Sequence, residues 1–87
     1  MDKASIKEVI FHFSRDLMQQ KNVSKEDMSD DFDLIHSGFI DSVDFIELIT
    51  ALERAFEIQI KFEDDITKYF TLSGLIQAVL DSNKETV

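Results

Sequence analysis

Apolar residues recur every three or four positions along three stretches of this chain, and no proline interrupts them. With about 3.6 residues per turn, that spacing lines them up on one face of a helix. In the first stretch Ile6, Val9, Ile10, Phe13 and Leu17 form one stripe, with Phe11 and Met18 beside it. Ser5 with Glu8 three residues on is a capping-box pattern, and Asp2 offers an earlier start, so a helix is predicted over about 3–20. In the second stretch the short glycine-containing loop Gly38-Phe39-Ile40 leads to Asp41-Ser42, and a helix follows over about 42–56. Aspartate and serine suit a helix start because their side-chain oxygens accept from the first unpaired backbone N–H groups. Phe45, Ile46, Leu48, Ile49, Leu52 and Phe56 of this helix are assigned to the core. In the third stretch Thr71 caps a helix over about 72–81 that turns Leu72, Leu75, Ile76, Val79 and Leu80 inward. Gly74 costs that helix up to about 1 kcal/mol of propensity and permits a close approach by a neighbouring helix. Residues 82–87 are expected to be a frayed tail.

The connections carry less pattern. Residues 21–41 form a long polar loop dense in acids (Glu26, Asp27, Asp30, Asp31, Asp33), and loops of that length carry function or local structure of their own. Ser24-Lys25-Glu26-Asp27 suits a helical turn, and Phe32, Leu34 and Ile35 are the expected anchors to the core. Residues 57–62 alternate apolar and polar, with Ile58, Ile60 and Phe62, but a lone strand would have nothing to pair with. A short helix is expected over 63–69, its acids at the N-terminal end, where the helix dipole favours them. The fold class is all-α: one domain over 1–87, a small four-helix bundle of three longer helices and one short one.

Composition narrows the function. With 44% apolar residues the chain is globular in spite of a net charge of −9. That charge disfavours nucleic-acid backbones and anionic membranes and favours partners with basic patches. There is no cysteine, so any thiol chemistry must come from a cofactor. No apolar run approaches the ~20 residues of a membrane span, and no signal-peptide core is present; the expectation is a cytoplasmic monomer with no membrane insertion.

Gly38-Phe39-Ile40-Asp41-Ser42-Val43-Asp44, followed by Glu47-Leu48, resembles the modification motif of acyl and peptidyl (aminoacyl) carrier proteins. Phe56-Glu57-Ile58-Gln59-Ile60 and Phe70-Thr71-Leu72 match the family's order downstream, so the likeness covers nearly the whole chain. The resemblance implies a non-catalytic carrier whose Ser42 receives 4′-phosphopantetheine from coenzyme A through a phosphopantetheinyl transferase. Asp41 matches the residue that helps present the serine and metal-bound coenzyme A. The arm's thiol would then hold acyl or aminoacyl groups as thioesters, loaded by a ligase or transferase and passed to synthases. Val43, Glu47, Thr50 and Arg54 are spaced four, three and four apart and share a helix face, which the resemblance, with Asp44, makes the docking surface. Three positions depart from the fatty-acid subgroup: Arg54 in a usually acidic stretch, bulky Ile40 before Asp-Ser, and Lys61 where many members have proline. These departures favour a discrete carrier over the housekeeping fatty-acid carrier, with fatty-acid, polyketide or another specialised biosynthesis as its expected pathway.

Other chemistries fit less well. Counted from Asp33, residues Ser37, Gly38, Ile40, Asp41 and Asp44 fall at positions five, six, eight, nine and twelve of an EF-hand calcium loop. Ile35 then occupies position three, where an oxygen ligand is needed, and position twelve lacks the bidentate glutamate. An unmodified helical interaction module is the other alternative. Ser42 with His36 as a hydrolytic pair lacks the Gly-x-Ser-x-Gly elbow, and two distant histidines without cysteine make a poor zinc site.

Overall fold

Helix α1 (Lys3–Lys21) starts at Asp2, whose carboxylate accepts from Ser5 N at 2.8 Å, so Asp2 and not Ser5 is the cap. The computed structural model describes residues 2–63 and 65–85. Ile6 and Ile10 of α1 are fully buried, while Val9, Phe13 and Leu17 pack partly against the same core. Phe11 and Met18 widen that face, and the Lys25 ammonium lies 5.2 Å from the centre of the Phe11 ring. Asn22, at φ 55, ends the helix in a left-handed cap, its N–H reaching the carbonyls of Gln19 and Met18.

Helix α2 (Ser42–Phe56) buries Phe45, Leu48, Ile49 and Leu52. Ile46, expected in the core, is 65% exposed instead, and Phe56 is only half-buried. The four buried residues already fill the arc facing α1 and the loop, which leaves Ile46 on its flank. Helix α3 (Leu72–Glu85) runs past residue 81, so 82–85 belong to the helix and not to a tail; Ser82 is buried and donates to the Ala78 carbonyl at 2.8 Å. Residues 86–87 lie outside the described residues. Helix α1 packs on both α2 and α3.

The short helix expected over 63–69 is a single 3-10 turn, Ile66–Tyr69, packed on α3. Asp65 caps it, accepting from Thr67 N and the Thr67 hydroxyl. Glu63, placed by the sequence inside that helix, precedes it: its N–H donates to the Tyr69 hydroxyl and its carboxylate pairs with Lys68. Asp64 lies outside the described residues.

The acidic loop is an organised part of the fold. Its backbone meets two of the orphan N–H groups at the start of α3, Leu72 N donating to Phe32 O and Ser73 N to Asp30 O, while the capping Thr71 hydroxyl accepts from Gly74 N. In return Leu34 N donates to Phe70 O at 2.8 Å. Met28, Leu34, Phe39 and Ile40 are buried, more anchors than Phe32, Leu34 and Ile35 alone, of which only Leu34 is fully enclosed. At the surface, Lys3 and Lys7 pair with Asp30, exposed contacts of small energetic weight.

Residues 57–62 make no sheet pairing. Ile58 and Ile60 are buried by their link to α2: Ile58 N donates to Glu53 O, and Ile60 N to the Glu53 carboxylate at 3.0 Å. Glu53→Ala leaves the part-buried Ile60 N–H without its acceptor. It is expected to lower unfolding free energy by about 1–3 kcal/mol, and Glu53→Gln, which keeps an acceptor, by less. Urea titration of the two variants measures the difference; equal stabilities would mean the contact contributes nothing.

Candidate functional site

The site is built where the acidic loop turns into α2. Asp33 opens the turn, its Oδ1 accepting from Ile35 N at 3.0 Å and His36 N at 2.6 Å while Oδ2 meets the His36 Nδ1 at 2.7 Å. Burial works against the Asp33 charge, yet hydrogen bonds from the His36 ring and backbone hold its carboxyl below the usual carboxylate range. The His36 ring lies 5.6 Å from that of Phe70, which meets Phe45 of α2 edge-on at 5.3 Å. One line of rings thus joins the loop, the start of α3 and the serine's helix.

The chain then bends at Gly38, whose φ of +81° is a left-handed conformation that side chains disfavour. Gly38 N donates to Ile35 O and Ile40 N to Leu34 O, closing the bend on itself. Phe39 and Ile40, each 3% exposed, plug into the core immediately before Asp41. The bulky Ile40 is therefore a packing anchor. The Lys21 ammonium, from the last residue of α1, donates to the carbonyls of both Gly38 and Phe39 at 2.8 Å.

Asp41 is the cap of α2: its Oδ1 accepts from Asp44 N at 2.8 Å. Ser42 is therefore the first helical residue, and it is exposed. Among the described residues its hydroxyl has no hydrogen-bond partner. Of the residues expected on the docking face, Val43 (62% exposed), Glu47 and Arg54 are exposed, while Asp44 and Thr50 are half-buried. The Thr50 hydroxyl is turned back onto the Ile46 carbonyl. Beside them a furrow of about 250 Å³ lies between α2 and the 3-10 turn, bounded by Phe45, Ile46, Ile49, Thr50, Glu53, Phe62 and Ile66. The exposed apolar residues Ile46, Phe62 and Ile66 form its lips.

The calcium-loop alternative finds no geometry here. Both Asp33 oxygens are engaged with Ile35 and His36, and among the described residues no group of three or more carboxylate, histidine or cysteine side chains converges. Two contributors to the site had escaped sequence reading. A lysine in the last turn of a helix is an available signal for carbonyl binding, and an aspartate three residues before a histidine suits a side-chain-capped turn. The lysine signal does not name its partner across the loop.

The sequence profile of the phosphopantetheine attachment site family matches residues 15–79. That is well over half of the chain. The protein belongs to this family of acyl and peptidyl carrier domains. No curated protein and no solved structure matches it. The all-helical fold agrees with that membership. As a carrier domain it bears 4′-phosphopantetheine, attached covalently, and works with a phosphopantetheinyl transferase and with acyl-processing enzymes. Carrier domains of this family are themselves non-catalytic. Among the described residues no helix is long and apolar enough to cross a membrane.

Proposed function

We propose that Ser42 is the attachment residue, and that the protein presents acyl or aminoacyl groups, held as thioesters, to synthases whose basic patches dock on α2. The observation that carries this reading is the state of the serine hydroxyls. Ser14 and Ser82, outside the family match, are buried; within it Ser24 is bonded to Asp27, Ser37 accepts from Phe39 N, Ser73 is half-buried, and Ser29, though exposed, lies in the loop and not at a helix end. Ser42 is exposed and, among the described residues, unpartnered; it stands at the end of a helix and follows the aspartate of the family motif. A nucleophile has to be reachable and its position fixed, and Ser42 meets both needs.

Ser42 contributes the oxygen that attacks the pantetheine-side phosphorus of coenzyme A. The Oγ–P bond forms, the P–O bond to the nucleotide breaks, adenosine 3′,5′-bisphosphate leaves, and the hydroxyl proton passes to a base of the transferase. The N-terminus of α2 suits the phosphodiester that results, since the helix dipole and free first-turn N–H groups favour an anion. Asp41 supports the site by capping the helix, which fixes the backbone that carries Ser42. When attached, the arm supplies a terminal thiol, the group this cysteine-free chain cannot provide itself.

Asp41, Asp44 and Glu47 surround the serine with negative charge, which supports docking by basic surfaces, and exposed Val43 and Ile46 add apolar contact at the centre. The α2 furrow offers an apolar cargo a place out of water. Arg54 reduces the acidity of the far end of this face, which supports a partner set different from that of housekeeping fatty-acid synthesis. The test of the carrier role is loading. The phosphopantetheine-bearing protein, given acyl- and aminoacyl-transfer enzymes with their activated substrates, is expected to gain an acyl or aminoacyl mass that neutral hydroxylamine removes. A gain that resists hydroxylamine, or no gain from any substrate class, contradicts it.

A further inference from the structure

We propose that Lys21 is the positioning residue for modification of Ser42: by binding two successive carbonyls it holds the preceding bend in the form that presents the serine. The inference rests on Ser42 being the attachment residue. Three devices fix the backbone that leads into α2. Phe39 and Ile40 set its depth in the core, Asp41 caps the helix, and Lys21 ties the bend to α1. The first two act at or after the bend. Within it, the hydrogen bonds of Gly38 N, Phe39 N and Ile40 N all return to the same loop. Among the described residues, the contacts from the Lys21 ammonium to Gly38 O and Phe39 O are the only hydrogen bonds joining this bend to another helix.

An ammonium group has three donors and no acceptor, so one head can satisfy two carbonyls at once, and charge-assisted bonds are the stronger kind. Lys21 is not needed to finish α1. Asn22 already closes that end, with its left-handed backbone and its N–H on Gln19 O and Met18 O. The side chain instead spans 17 and 18 residues of sequence to reach the glycine bend. Without it, the Gly38 and Phe39 carbonyls turn to water and the bend samples other forms, while the core beneath stays intact.

The transferase then meets the presenting form only part of the time. An apparent affinity falls by the fraction of molecules in the competent form, whereas the rate at saturation does not. In Lys21→Met, which keeps the stem and removes the donors, the KM of the transferase for the carrier is expected to rise about tenfold with kcat little changed. Lys21→Arg, which keeps a cation and its donors, recovers most of the loss, and all three proteins keep similar thermal midpoints. Wild-type KM in Lys21→Met overturns the proposal. So does an equal loss in Lys21→Met and Lys21→Arg that tracks a fall in midpoint, because Lys21 would then serve stability alone. A wild-type protein that gains no phosphopantetheine on Ser42 overturns the attachment reading, and this proposal with it. That outcome is distinct from a wild type modified at Ser42 with an indifferent Lys21.

Discussion

Gly74→Ala is expected to destabilise the protein by about 2–3 kcal/mol, in spite of alanine's better helix propensity. A Cβ at this position would stand 1.9 Å from the Lys68 carbonyl oxygen and 2.9 Å from the Thr71 hydroxyl. Backbone oxygen cannot yield as a flexible side chain can, so either the 3-10 turn or the first turn of α3 has to move. Moving the turn disturbs Tyr69, which is buried, and moving the helix breaks the bonds from Leu72 and Ser73 to the acidic loop. Propensity favours alanine by about 1 kcal/mol at most, which the clash exceeds. For a chain of this length the thermal midpoint should fall by about 10–20 °C. An unchanged or higher midpoint would mean that the turn stands off the helix and that Gly74 is a plain helical residue.

The same glycine shows what the sequence could and could not convey. Its presence in an otherwise apolar helix signalled a close approach, and the neighbour is the Lys68 carbonyl of the short 3-10 helix, six residues earlier in the chain. The three long helices were legible because their stripes and caps are local: Asp2, Asp41 and Thr71 each bind an N–H three residues on. Ile46 was not, since periodicity gives the width of an apolar face but not how much of it a partner covers. The loop was the least legible part. Its contacts run from Lys21 to Gly38, from Asp30 to Ser73 and from Phe32 to Leu72, and such long-range pairings leave no periodic trace. The reach of α3 to Glu85 was missed because polar Asp81, Ser82 and Asn83 end the apolar pattern, while the backbone continues as a helix with Ser82 turned inward. At the site, the Asp-Ser junction could be read directly, whereas the devices that hold it in place could not.

Ser42→Ala is expected to remove modification completely while leaving the fold intact. Because Asp41 and not Ser42 caps α2, the serine side chain is spared any role in the helix start. An exposed, unpartnered first-turn residue replaced by alanine should change stability by no more than about 0.5 kcal/mol. Loss of modification in this variant therefore cannot be a consequence of unfolding. The central claim, that Ser42 is the attachment residue of a carrier domain, is tested by intact mass. Wild type and Ser42→Ala are incubated with coenzyme A, Mg²⁺ and a phosphopantetheinyl transferase of broad specificity. The account predicts one added phosphopantetheine on the wild type and none on the variant, at equal helical content. Addition to the folded variant, or none to the wild type with several transferases, would contradict it.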